Sequence, residues 1–240
     1  MLAETMATAK NVVLTKAPKV RWEERSAQRV LESGRDQILE RSRRLVQAAY
    51  ELLDEEGLDG LTIRAVLKKT GLARRAFYER FEGKDDLVLA VFEQTLQSAA
   101  DRFAHHVSKL PSPLERLKVI VTYLVLGSTA LVGTAREPRS NLRSAAMSRE
   151  HLRLAESHPE DLQAALRPLL ALISQELAEG MKAGVVRKAD PDRLAAFVYN
   201  LVSTTVQSEL VPQETARPDR PRRDKLAADL WEFCERAIAA

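Results

Sequence analysis

Arg74, Arg75, Tyr78, Arg80 and Lys84 fall together within residues 74–84 of a 240-residue chain. Arginine carries a rigid fork of donors that bonds phosphate or the edge of guanine in a bidentate way. One such pair on a guanine is worth roughly 1–3 kcal/mol of discrimination between bases. Two arginines at the start of a helix also oppose the positive end of its dipole. An anionic partner, a nucleic acid above all, gives such a placement a purpose. The other reading of the same residues is a solvated basic face on an ordinary helix pair.

The stretch that must position them is TIRAVLKKTGLARRAFYERF, residues 62–81. It reads as two short helices across a tight turn. Thr62 is a good N-cap, since its hydroxyl can accept from an orphan N–H of the first turn. Ile63, Val66 and Leu67 repeat at helical spacing, which predicts one buried face. Gly71 suits the positive φ of a helix end. Leu72 opens a second apolar set that continues through Ala76, Phe77 and Phe81. Two short helices around a glycine turn are the layout of a helix-turn-helix.

The surrounding residues extend the pattern. Leu45-Val46 is followed by Ala48-Ala49, Leu52-Leu53 and Gly57, then Leu61-Thr62-Ile63, Val66, Gly71-Leu72, the run 77–81 (FYERF), Lys84 and Leu87. In this register residues 41–87 resemble the N-terminal domain of the TetR family of transcriptional regulators. The resemblance implies DNA binding by the second helix, with Thr62, Tyr78, Lys84 and the first helix (Arg41, Arg43, Arg44) on phosphates. It implies base readout by Arg74 and Arg75, with Arg80 a third candidate, and adds Arg64 to the DNA-facing residues. Two positions depart from the family pattern. Ala73 stands where a Ser or Thr often caps the recognition helix, and Arg75-Ala76 where a small pair is common. Both bear on which operator is read.

The totals bound the class. Hydrophobic residues make up 45% of the chain, enough for a core, and aromatics only 5%. Ala, Leu, Glu and Arg abound, which favours an all-α protein. The single cysteine, Cys234, rules out an intramolecular disulfide and a cysteine-based zinc site and fits a reducing cytoplasm. The longest apolar stretch, residues 119–132, is too short and too polar to span a membrane, and the N-terminus lacks a signal-peptide core. The net charge of +3 is uninformative. Residues 1–35 carry net +3 and residues 36–90 net −1, so the case for DNA rests on where the arginines sit.

Taken in order, residues 1–35 form a basic N-terminal extension. Residues 1–20 read as disordered. Residues 21–35, with Trp22 among Arg21, Arg25 and Arg29, read either as an arm touching DNA or as a tail with a locally packed helix. A helix is expected over 36–56 with Ile38 on its apolar face, ended by Gly57. The DNA-binding domain then occupies 36–86. A helix over 84–107 follows, which the resemblance makes the lever between domains. Residues 87–240 are expected to form a helical effector-binding and dimerisation domain. Its helices are predicted at 114–132, in one or two short pieces over 137–158, at 160–183 with a kink at Pro168, at 194–210, and at 225–239 after a Pro-rich loop over 212–223. Small residues at 127–134 mark either room for a ligand or close packing.

Phe103, Tyr123 and Met147 are candidates for an effector pocket. By resemblance the last two helices pair with a second copy, through Phe197, Leu201, Leu230, Trp231 and Cys234, and a homodimer suits a palindromic operator. No phosphate loop, nucleophile elbow or zincin motif occurs. His105 and His106 diverge on a helix, and His151 and His158 are too far apart for one metal. No cofactor, metal or catalysis is expected. The chain reads as a DNA-binding repressor released by a small, mostly apolar effector. The alternatives are a helical protein-interaction module and a constitutive DNA binder.

Overall fold

A computed structural model describes residues 21–107, 109–126, 141–213 and 216–240. Among these, every regular element is helical, and the one β-bridge is an isolated pair between Val186 and Ala239. The expectations for residues 1–20, for the side chains of the basic arm including Trp22, and for the small residues of 127–134 lie outside the described residues. The chain divides into two compact units, residues 1–41 and residues 42–240. The expected boundary at 86–87 falls inside a helix of the second unit.

Helix α1 spans Arg21–Gly60, well before the expected start at 36. Its regular geometry breaks at Gly57, where φ is 69°, a left-handed value that glycine adopts without a Cβ penalty. Ile38, expected on the apolar face, is exposed, whereas Leu45, Ala49 and Leu53 are buried. Helices α2 (Ile63–Thr70) and α3 (Arg74–Tyr78) follow, then α4 (Lys84–Val107), with Asp85 and Asp86 favourably placed at its positive end.

Five helices complete the body: α5 (Pro113–Leu126), α6 (Leu142–Ser157), α7 (Pro159–Lys182), α8 (Pro191–Leu210) and α9 (Arg220–Ile238). Helix α7 packs on α4, α5, α6 and α8, so its apolar face is at the centre, with Leu169, Ile173 and Leu177 fully buried. It runs unbroken through Pro168. The segment read as one or two short pieces is, over its described part, the single helix α6. Helix α9 begins earlier than expected, inside the Pro-rich stretch. Asp219 caps it by accepting from Arg222 N at 3.1 Å, and Pro221 in the first turn loses no hydrogen bond there.

Polar ties hold the layers. Arg116 on α5 bonds Glu176 of α7 at 2.5 Å and also pairs with Glu179. Both Arg116 and Glu176 are largely shielded from solvent, so the pair is kept only because each charge meets its partner. The end of α9 is pinned to the α7–α8 turn by Arg187, whose backbone N–H donates to Ile238 O at 2.9 Å.

Candidate functional site

The two helices expected from residues 62–81 are present with their predicted caps. Thr62 is in extended backbone and its Oγ1 accepts from Ala65 N at 3.1 Å. Gly71 ends α2 in the left-handed region at φ 68° and donates to Leu67 O. Ala73 stands at the N-cap of α3 without a side-chain bond, as its methyl requires. Helix α3 is shorter than the apolar pattern suggested. It stops at Tyr78, and Phe81 closes the turn by donating its N–H to Phe77 O at 2.9 Å. Phe77 is fully buried, with its ring 5.5 Å from that of Phe81. That anchor leaves Arg74, Arg75 and Tyr78 exposed.

The exposed face is pre-arranged by local contacts. Arg75 Nε lies 2.8 Å from Glu79 Oε1 one turn on, yet its side chain stays 89% exposed. The guanidinium holds the Glu79 carboxyl below its ordinary range, chiefly through that hydrogen bond. Arg74 stacks over the Tyr78 ring at 5.5 Å and reaches its hydroxyl at 3.4 Å. Thr62, Arg64 and Arg43 are exposed as well.

Three of the expected DNA-facing residues also make contacts within the chain. Arg80 is turned inward: its side chain is 6% exposed and Nη1 donates to Ala76 O at 2.5 Å, so it braces α3 and is not presented for base readout. Arg44 donates to Thr70 O at 2.6 Å, a cation on the negative end of α2. Lys84 is half-buried with Nζ 3.5 Å from Leu58 O, at the hinge between α1 and α4. The Arg44 and Lys84 contacts each join residues 26 positions apart, so no local motif announces them. Lys69 likewise ties α2 to α1 through Glu55 at 2.9 Å and Glu51 at 3.2 Å.

Helix α6 makes two further ties that the sequence did not reveal. Arg143 bonds Asp54 of α1 at 2.6 Å and lies 4.1 Å from the Tyr50 ring centroid. Burial raises the Asp54 pKa, and the Arg143 charge opposes that rise. Arg153 grips both oxygens of Asp85, at the start of α4, at 2.8 and 2.9 Å. Buried Glu150 supports Arg153 from the same helix at 2.6 Å.

Between these ties α6 forms one wall of a cavity of about 160 Å³. Phe92 and Leu96 of α4, Leu124 of α5, Met147, Ser148 and His151 of α6, and Tyr199, Ser203, Val206 and Gln207 of α8 line it. Burial holds His151 below its ordinary value and pushes the Tyr199 phenol up. Of the three residues expected at a pocket, Met147 lines this cavity. Phe103 and Tyr123 do not: their rings pack edge to face at 4.3 Å in the core, and the Tyr123 hydroxyl accepts from Arg102 at 2.5 Å.

The residues expected at a dimer face divide. Phe197 is 56% exposed and Leu201 half-buried, while Leu230, Trp231 and Cys234 are covered by their own chain, α9 packing them against α5. The exposed aromatic of α9 is Phe233, at 61%. Burial pushes the Cys234 thiol up, which makes it a poor nucleophile. His106 Nδ1 meets Arg102 O at 2.9 Å, and Asp101 Oδ1 accepts from Gln97 at 2.8 Å. Among the described residues no helix is long and apolar enough to cross a membrane.

A helix-turn-helix with an outward arginine pair, followed by a helical body with a cavity, defines a helix-turn-helix regulator class. Residues 45–91 match the family model of bacterial regulatory proteins, tetR family. An HTH-type transcriptional regulator of Staphylococcus aureus is 28% identical over 91 residues, 38% of this chain and 49% of the relative. The chain spans half or less of the length of the first curated relatives it matches. Solved structures share the fold over far more of the chain. FadR of Bacillus subtilis in complex with stearoyl-CoA has a TM-score of 0.59 at 17% identity, covering 80% of this chain and 96% of that one. RolR in complex with resorcinol has a TM-score of 0.60 at 19% identity, covering 82% and 89%. The family match covers residues 45–91, the helix-turn-helix region, and over the rest of the chain the likeness to these solved regulators is one of fold.

Proposed function

We propose that the chain is a homodimeric transcriptional repressor that binds a palindromic DNA operator and leaves it when a small, mostly apolar effector enters the cavity. The observation that carries the reading is α3: Phe77 buries one side of the helix, and Arg74, Arg75 and Tyr78 are left exposed on the other. Arg74 and Arg75 read base edges, while Thr62, Arg64, Tyr78 and Arg43 contact phosphates and set the register. Arg44, Arg80 and Lys84 act one step back, holding the elements that carry those groups. Residues 36–86 form the reading head and residues 87–240 the sensing and dimerising body.

Helix α6 supplies the route from effector to DNA. Its Met147, Ser148 and His151 face the cavity, and its Arg143 and Arg153 hold α1 and α4. An occupant that shifts α6 changes both ion pairs together and so the spacing of two heads in a dimer. It does so only by binding one spacing better than the other. Exposed Phe197 and Phe233 on the last two helices offer an apolar face to a second copy.

The test is fluorescence anisotropy with a labelled duplex from the protein's own upstream region and a scrambled control, across a salt series. Specific binding that weakens steeply with salt is expected. Equal, weak binding to both, with no sequence enriched in a genome-wide selection, overturns the reading.

A further inference from the structure

Solved neighbours of this fold hold ligands as unlike as stearoyl-CoA and resorcinol, so the fold does not choose the ligand and the cavity walls must. We propose that the cavity between α4, α5, α6 and α8 takes a neutral compound with a single aromatic ring and a hydroxyl group, a simple phenol in chemical class. The proposal rests on reading this cavity as the effector site.

Size sets the first limit. The cavity holds about 160 Å³. An apolar protein cavity of about 150 Å³ accommodates benzene, so one six-membered ring fills the space here. The walls set the second limit. The His151 ring lies near those of Phe92 and Tyr199, with centroids 6.3 and 6.1 Å away and planes inclined at 50° and 45°. Aromatic groups at such spacings favour edge-to-face or offset contact with a further ring. An aliphatic guest of equal volume gains the burial without that preference.

Charge sets the third limit. Among the described residues no Lys, Arg, Asp or Glu lines the cavity. An ionised ligand would give up its hydration with no opposite charge to meet it. Burial keeps the His151 imidazole neutral near pH 7, with one ring nitrogen available as an acceptor. Ser148 of α6 and Ser203 and Gln207 of α8 add polar atoms to the lining, and Gln207 Nε2 already donates to Ser148 O at 2.8 Å. A ligand hydroxyl donating to His151 places its ring against Phe92 and Tyr199.

Calorimetric titration of the full-length free protein with phenol, toluene, benzoate and octanoate tests this directly. Phenol is expected to bind once per chain, about tenfold more tightly than toluene, the worth of one hydrogen bond. Benzoate and octanoate are expected to bind at least tenfold more weakly than phenol. His151→Phe keeps the ring and removes the acceptor, and should bring phenol down to the level of toluene. Met147→Trp and Ser203→Phe each fill the cavity from a different helix and should abolish phenol binding, with unfolding curves showing that each variant folds. Tighter binding of octanoate or benzoate, or phenol binding that survives both filling variants, overturns the proposal. The operator assay separates it from the reading it rests on. Release of operator by another ligand, with phenol not bound, defeats the ligand class alone. Phenol bound without operator release leaves the ligand class standing and defeats the effector role.

Discussion

Arg75 and Arg80 lie on consecutive turns and meet opposite environments. Arg75 is exposed and held in place only by Glu79, so its side chain is available to a partner. Arg80 is buried against the Ala76 carbonyl. Arg75→Ala should weaken specific operator binding by about 1–3 kcal/mol and leave thermal unfolding unchanged. Arg80→Ala should do the reverse in character: it removes a charged hydrogen bond to a carbonyl, worth about 1.5–3 kcal/mol, and lowers the melting temperature first. Anisotropy and melting curves on the two variants check both statements. His151 makes a pH prediction. Its folded pKa is depressed by burial below the unfolded value of about 6.5. Between the two values the unfolded chain binds the proton and the folded chain does not. Stability should therefore be unaffected by His151 above pH ~6.5 and fall as pH drops from there toward the folded pKa. Urea titrations in that interval should show a flatter pH profile for His151→Gln.

At the scale of elements, α6 is the piece whose position matters most. It carries cavity-lining residues and both arginine ties to the helix-turn-helix region. Arg153→Ala strands buried Glu150 and releases Asp85. Losing one partner of a fully buried pair costs about 3–5 kcal/mol. The Arg153 side chain is 39% exposed, so solvent screening should reduce the loss to about 1–2 kcal/mol. Arg143→Ala breaks a single, partly exposed pair and should cost less than about 1 kcal/mol in stability. Both variants should keep ligand binding in calorimetry and blunt the release of operator by that ligand. Full release from the double variant would show that α6 is not the route.

At the scale of the molecule, the last two helices leave Phe197 and Phe233 outside while Leu194, Val198, Val202, Leu230 and Trp231 turn inward. Large exposed aromatics are candidates for an interaction face. Phe197→Asp combined with Phe233→Asp should give a monomer by sedimentation velocity, with the unfolding midpoint of the chain little changed because neither ring belongs to its core. Operator affinity should fall sharply, since a monomer meets only one half-site. A dimer that survives both substitutions places the interface elsewhere.

Local chemistry determined the reading head. The Thr62 cap, the Gly71 turn and the Phe77 anchor each act within four residues, and a pattern over such a span is visible in the chain itself. The helical class and most of the helices followed from periodicity in the same way. The start of α9 was hidden because its prolines suggested a loop, and only the Asp219 cap made them part of a first turn. The tertiary structure alone decided which arginines face out. Arg74 and Arg80 look alike in sequence, but a carbonyl one turn back holds Arg80 inward, while Arg74 lies exposed along the Tyr78 ring. It also decided the cavity and the α6 ties, whose partners lie 89 and 68 positions apart. Periodicity shows which face of a helix is buried. It does not say against which helix, and a cavity or a long-range ion pair exists only once that choice is made.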